Sequence, residues 1–124
     1  MTIHSDRLRP VFEQNFASWT KQSLFGGKGE VTVADLLGNA KAAPFEAVLG
    51  CRLEAGGHVG AHHQESADEV VIVVAGNALI KVAGKTHQLS SGGCVYLAKG
   101  QLLEIENASP IDPVDYLIVK TARK

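Results

Sequence analysis

Residues 56–76 read GGHVGAHHQESADEVVIVVAG, and this stretch decides the fold. Its first half gathers His58, His62, His63, Gln64 and Glu69. Its second half is the apolar run Val70-Val71-Ile72-Val73-Val74. β-branched side chains are stiff at χ1 and pack well on a pleated surface, so the run predicts a strand. Three of the five histidines in the chain fall within six residues, beside an amide and a carboxylate. Donors of those types on the shoulder of a strand mark a candidate site for a metal ion or a polar ligand.

Working outward, the same β character recurs in short segments separated by glycine-containing turns, the spacing of an antiparallel sandwich or barrel. Strands are predicted at 30–36, 45–54, 69–75, 78–82, 94–97, 102–106 and 114–121. Gly76-Asn77 separates two apolar runs as a tight hairpin would, Ala83-Gly84-Lys85 does the same, and 90–93 is a looser turn. Before residue 30 the pattern changes. Arg7 to Trp19 suits a short helix or an irregular cover, and Gly26-Gly27-Lys28-Gly29 a flexible joint. The expected organisation is an N-terminal arm over 1–29, with a short helix and an interface strand, and one barrel domain over 30–124.

Length and charge exclude several classes. At 124 residues and 13.1 kDa the chain is one domain, long enough to bury about two-thirds of its unfolded surface. Twelve basic and thirteen acidic residues are spread evenly, giving a formal charge of −1, so no basic stripe points to nucleic acid. No apolar run approaches a membrane span, and the N-terminus lacks the layout of a signal peptide. A cytoplasmic location is expected. Cys51 and Cys94 sit in separate apolar runs and read as reduced core residues, with Tyr96 and Phe45 as packed strand residues. Trp19 and Phe25 read as cover for the core or for a subunit interface.

Alternation gives the site a geometry. Side chains two apart on a strand share a face, so an extended 58–64 places His62 and Gln64 together. His58 joins them provided no bulge intervenes near Gly60, and His63 points the other way. On the next strand Glu69, Val71 and Val73 share a side, and a hairpin from 62 to 69 would bring Glu69 to the histidines. The resulting set is a metal site built on His62, Gln64, Glu69 and His58, or a metal-free hydrogen-bonded patch.

These residues carry a family resemblance. Gly56-x5-His62-x-Gln64-x4-Glu69-x6-Gly76 resembles the first motif of the cupin family, with Gln64 where the family has a second histidine. Gly92-x5-Ala98-x-Gly100-x2-Leu103-x3-Asn107 resembles the second motif, with Ala98 in place of a proline and Leu103 in place of the last metal-binding histidine. The resemblance implies an all-β double-stranded β-helix, the jelly-roll barrel, with its site at the open mouth. It implies one divalent transition metal (zinc, iron, manganese or nickel) held by His62 and Glu69, with Gln64 a weaker ligand and Leu103 removing one donor. It also implies a homodimer.

Two functions follow. One is a barrel that binds a small molecule through His62, Gln64 and Glu69, with His63 at the rim and Val71, Val95 and Leu103 as walls, any metal being weakly held. The other is a metal-dependent enzyme, an oxygenase, isomerase, epimerase or lyase, acting on a small polar metabolite. No catalytic residue is assigned.

Overall fold

The computed structural model describes residues 18–37, 44–65 and 67–122. Among the described residues ten strands form two antiparallel sheets: β1 (Ser18–Gln22), β2 (Glu30–Asp35), β3 (Phe45–Leu53), β4 (His58–His63), β5 (Ala67–Ala75), β6 (Ala78–Val82), β7 (Lys85–Leu89), β8 (Cys94–Leu97), β9 (Leu102–Glu106) and β10 (Val114–Ala122). The six-stranded sheet runs β1-β2-β3-β10-β5-β8 and the four-stranded sheet β4-β9-β6-β7. Each strand predicted from sequence is present, with its ends shifted by two residues at most. The part of the arm expected as a helix or cover at 7–17 lies outside the described residues. Ser18 to Gln22 pair with β2 as an outer strand of the larger sheet.

The two sheets face each other as a jelly-roll barrel, and side-chain alternation fills the space between them. From the six-stranded sheet Val31, Leu53, Val71, Val73, Leu97 and Val114 point inward. Ile80, Leu103 and Ile105 meet them from the other sheet, all essentially without exposure. Burying side chains of this size contributes about 1.5–3 kcal/mol each.

The turns differ from their sequence reading in one respect. Ala83-Gly84 does close a two-residue hairpin between β6 and β7, with φ of 50° and 84°, as the inverse turns of hairpins require. Gly76-Asn77 is not a hairpin, because β5 and β6 belong to different sheets. It carries the chain across the barrel. β4 and β5 likewise belong to different sheets, so Glu69 reaches the β4 side by facing it across the sandwich rather than by pairing along a hairpin.

Three further expectations are corrected. Cys94, Tyr96 and Phe45 are exposed, Tyr96 by 61%. On β8 the alternation turns Val95 and Leu97 inward, which sends Cys94 and Tyr96 to the outer face. Cys51 is buried as expected. The 26–29 joint is pinned: the Lys28 and His58 backbones exchange two hydrogen bonds of 2.7 Å. A side chain on Gly27 would put its Cβ 1.8 Å from the His58 carbonyl oxygen, and one on Gly60 would put it 1.9 Å from that of Phe25. Only glycine lets these two backbones approach so closely.

Candidate functional site

A bulge sets which histidine faces the interior. Along β4 the register advances from Val59 opposite Ile105 to His62 opposite Leu103, three steps against two on β9. The extra residue, at Gly60-Ala61, reverses the alternation. His62 therefore shares the inner face with Leu103, while His58 falls on the outer face. There its Nε2 lies 2.6 Å from Glu104 Oε2. The structure does not bring His58 together with Gln64 and Glu69. His63 is exposed, and its Nδ1–H donates to the Gly100 carbonyl at 3.1 Å.

His62, Gln64 and Glu69 do converge. Gln64 and Glu69 are 7% and 2% exposed, and the Gln64 amide Nε2 donates to Glu69 Oε2 in a short contact. His62 Nδ1 lies 2.9 Å from the Gly60 carbonyl oxygen. A carbonyl only accepts, so Nδ1 carries the proton and Nε2 of the neutral ring is left as an acceptor. Phe25 stacks on the imidazole with ring centroids 3.8 Å apart and planes 12° from parallel. It does so from a left-handed backbone conformation, φ 53° and ψ 37°, which costs a bulky residue about 1–3 kcal/mol. Phe25 is 54% exposed, so the strain serves the ring's position over His62 rather than core burial.

Residues that the sequence reading passed over complete the interior. Val114, Tyr116, Ile118 and Lys120 take the inward positions of β10, placing Lys120 opposite Glu69 on β5 and Ala47 on β3. Tyr116 and Cys51 are register partners that hydrogen-bond below them. The signal was present as the two-residue period of Val114 to Lys120, which puts a lysine on the face of three apolar residues.

Electrostatics follow burial. Desolvation pushes the Glu69 carboxyl above the usual carboxylate range, against the opposing pull of the Lys120 charge and the Gln64 hydrogen bond. Desolvation pulls His62 below its usual value, the Gly60 hydrogen bond opposes this, and the charges of Lys120 and His63 add to it. Burial pushes the Cys51 thiol to about 12, and Tyr116 is raised well above its usual value for the same reason. Both are therefore inert as nucleophiles at neutral pH.

The donor set does not fit a tightly held transition metal. Leu103, 1% exposed, stands directly across from His62, and the Gln64 amide is committed to Glu69. Among the described residues no group of three or more His, Cys, Asp or Glu side chains could hold an ion. One imidazole, one carboxyl and one amide supply fewer strong donors than the three or four protein ligands of stable sites.

The ten strands of the described residues, in two facing antiparallel sheets with a polar cluster between them, define a small jelly-roll β-barrel. Residues 51–120 match the cupin domain family, and the chain belongs to it. Among solved structures it resembles a predicted oxalate decarboxylase from Thermotoga maritima, with 24% identity over 88% of this chain and 95% of that one and a TM-score of 0.80. It also resembles the polyketide cyclase RemF from Streptomyces resistomycificus, with 14% identity over 93% and 80% of the two chains and a TM-score of 0.70. A cupin 2 conserved barrel domain protein from Rhodopseudomonas palustris aligns with 14% identity over 89% and 74% and the same TM-score of 0.70. At these identities the likeness is one of fold. No curated protein matches the chain in sequence.

Proposed function

We propose that the protein binds a small organic molecule at the barrel mouth without depending on a tightly held metal ion. The observation that carries this reading is Leu103 opposite His62, an apolar side chain where the family pattern places a metal-binding imidazole. Ligand sites combine apolar walls with a few fixed polar groups. Here Val71, Val95 and Leu103 are the walls, and His62, Gln64 and Glu69 the polar groups, with His63 at the rim. His62 Nε2 offers an acceptor to a hydroxyl or amine, and the Glu69 carboxyl, held above its usual range by desolvation, is a second polar group.

The competing reading, a metal-dependent enzyme of this fold, draws on the names of the Thermotoga and Streptomyces proteins. It requires a bound zinc, iron, manganese or nickel ion with open coordination positions. Two further expectations accompany the binding reading. The outer face of the six-stranded sheet carries Val70, Ile72, Val74, Tyr96, Leu117 and Val119, an apolar surface suited to a second copy of the chain. Two free thiols, Cys94 exposed, suit the reducing cytoplasm. Among the described residues no helix is long and apolar enough to cross a membrane.

The test is backbone-amide NMR with a library of small metabolites in the presence of a chelator. Ligands that shift Gln64, Glu69 and His62 under chelation are the expected result. Ligands that bind only when a divalent ion is restored would overturn the reading in favour of the metal-dependent enzyme.

A further inference from the structure

Lys120 stands in an unusual place. Its side chain takes an inward position on β10, half-buried at the mouth, with the small Ala47 on one side and Glu69 on the other. Lysines in such positions ordinarily engage a carboxylate or run their charge out to water. Arg52, on the outer face of the same two strands, shows the usual solution: Asp115 grips it through two hydrogen bonds of 2.7 and 2.9 Å.

Among the described residues no hydrogen bond or ion pair engages the Lys120 ammonium. Its register partner Glu69 is 2% exposed and accepts the Gln64 amide at Oε2. The lysine charge nonetheless acts on Glu69, His62 and Cys51 together. Its register position, level with Glu69 and Ala47 on the inward face of β10, places the lysine on the side of the mouth. With the partly buried Ile118 and Leu49 as the next inward pair and the His62 acceptor on the facing sheet, the mouth offers one positive charge, one neutral acceptor and an apolar surface.

We infer that the mouth is built for a small organic acid, whose carboxylate is taken by the Lys120 ammonium while its apolar body lies on Ile118 and Leu49, the partly buried inward pair next to it. The inference rests on the mouth-binding reading above and names the ligand class for that same site. A charge-assisted hydrogen bond formed where water is partly excluded is stronger than a neutral one. A lysine offers a point charge that carboxylates of different shape can share. A hydroxyl next to the carboxylate would find His62 Nε2.

Two probes of equal shape separate charge from fit: isovalerate and its uncharged analogue isovaleramide, each titrated while the amides of Ala47, Gln64, Glu69 and Lys120 are followed by NMR. The wild type is expected to bind isovalerate roughly tenfold or more tightly than isovaleramide, the size of a hydrogen bond to a charged group. Lys120→Met should erase that preference by weakening isovalerate alone, and Lys120→Arg should keep most of it. Equal affinity for the two probes in the wild type, or a preference that survives in Lys120→Met, overturns the carboxylate inference and leaves mouth binding standing. Absence of any shift at the mouth with either probe counts against both. A Lys120→Met protein that does not fold would pass the decision to Lys120→Arg, where a preference still matching its charge supports the inference and loss of all discrimination overturns it.

Discussion

The two ends of the barrel interior are made differently. At the closed end Leu53, Val73, Ile80 and Ile105 fill the space with apolar side chains, sealed by Asn107, whose amide donates to the carbonyls of Leu53, Glu54 and Asp112. At the mouth β4, β5 and β10 deliver His62, Glu69 and Lys120, with Gln64 just after β4, above the buried Leu103 and Leu97. One end is satisfied by packing and by the Asn107 hydrogen bonds. The other keeps a buried carboxyl, an open imidazole acceptor and an unengaged ammonium, groups that cost stability unless something uses them. On the proposed reading the closed end supplies stability and the mouth supplies function.

The comparison breaks most visibly if the closed end proves unimportant. Ile80→Ala is expected to lower stability by about 2–5 kcal/mol through lost burial and a cavity. Chemical denaturation checks this, and ligand shifts at Glu69 should be unchanged. Asn107→Ala leaves three carbonyls without their common donor and is expected to cost about 1–3 kcal/mol. A smaller loss would mean that water replaces the amide.

At the mouth the sign depends on pH. The folded state holds Glu69 above its unfolded value, so the group favours folding fully below the ordinary carboxylate pKa. That contribution is lost as pH rises through the raised one. Glu69→Gln removes the titration and keeps an acceptor for Gln64. Its melting temperature should therefore equal the wild type's in acid and rise above it near neutrality. A variant less stable at every pH would make Glu69 a structural group. Smallest of all, Phe25→Gly exchanges a stacked pair worth about 0.5–1.5 kcal/mol for relief of a strained left-handed backbone, and net stability should barely move. The His62 pKa should instead rise toward its ordinary value as the ring is exposed, which an NMR titration detects.

How far the sequence could be read follows the same division. The strands were legible because burial on one or both faces writes itself as apolar runs, and the motif from Gly56 to Gly76 located the mouth. His58 was misdirected because a bulge at Gly60 changes side-chain parity without changing composition. Tyr96, Cys94 and Phe45 looked packed because the six-stranded sheet is apolar on its outer face too, which removes the alternation that separates inside from outside. Lys120 was missed because a lysine near a chain end looks like solvent-exposed charge until the register with Glu69 is known. Phe25 was out of reach, since its stack depends on two glycine backbones meeting at Gly27 and Gly60.

The central claim is that the mouth serves an organic ligand and not a tightly held ion. Elemental analysis by mass spectrometry of protein purified without an affinity tag or chelator tests it most directly, with His62→Ala and Leu103→His alongside. The account predicts no stoichiometric metal in the wild type or in His62→Ala, and uptake of divalent metal by Leu103→His, where a second imidazole faces His62. Near-stoichiometric metal in the wild type that disappears in His62→Ala would contradict it.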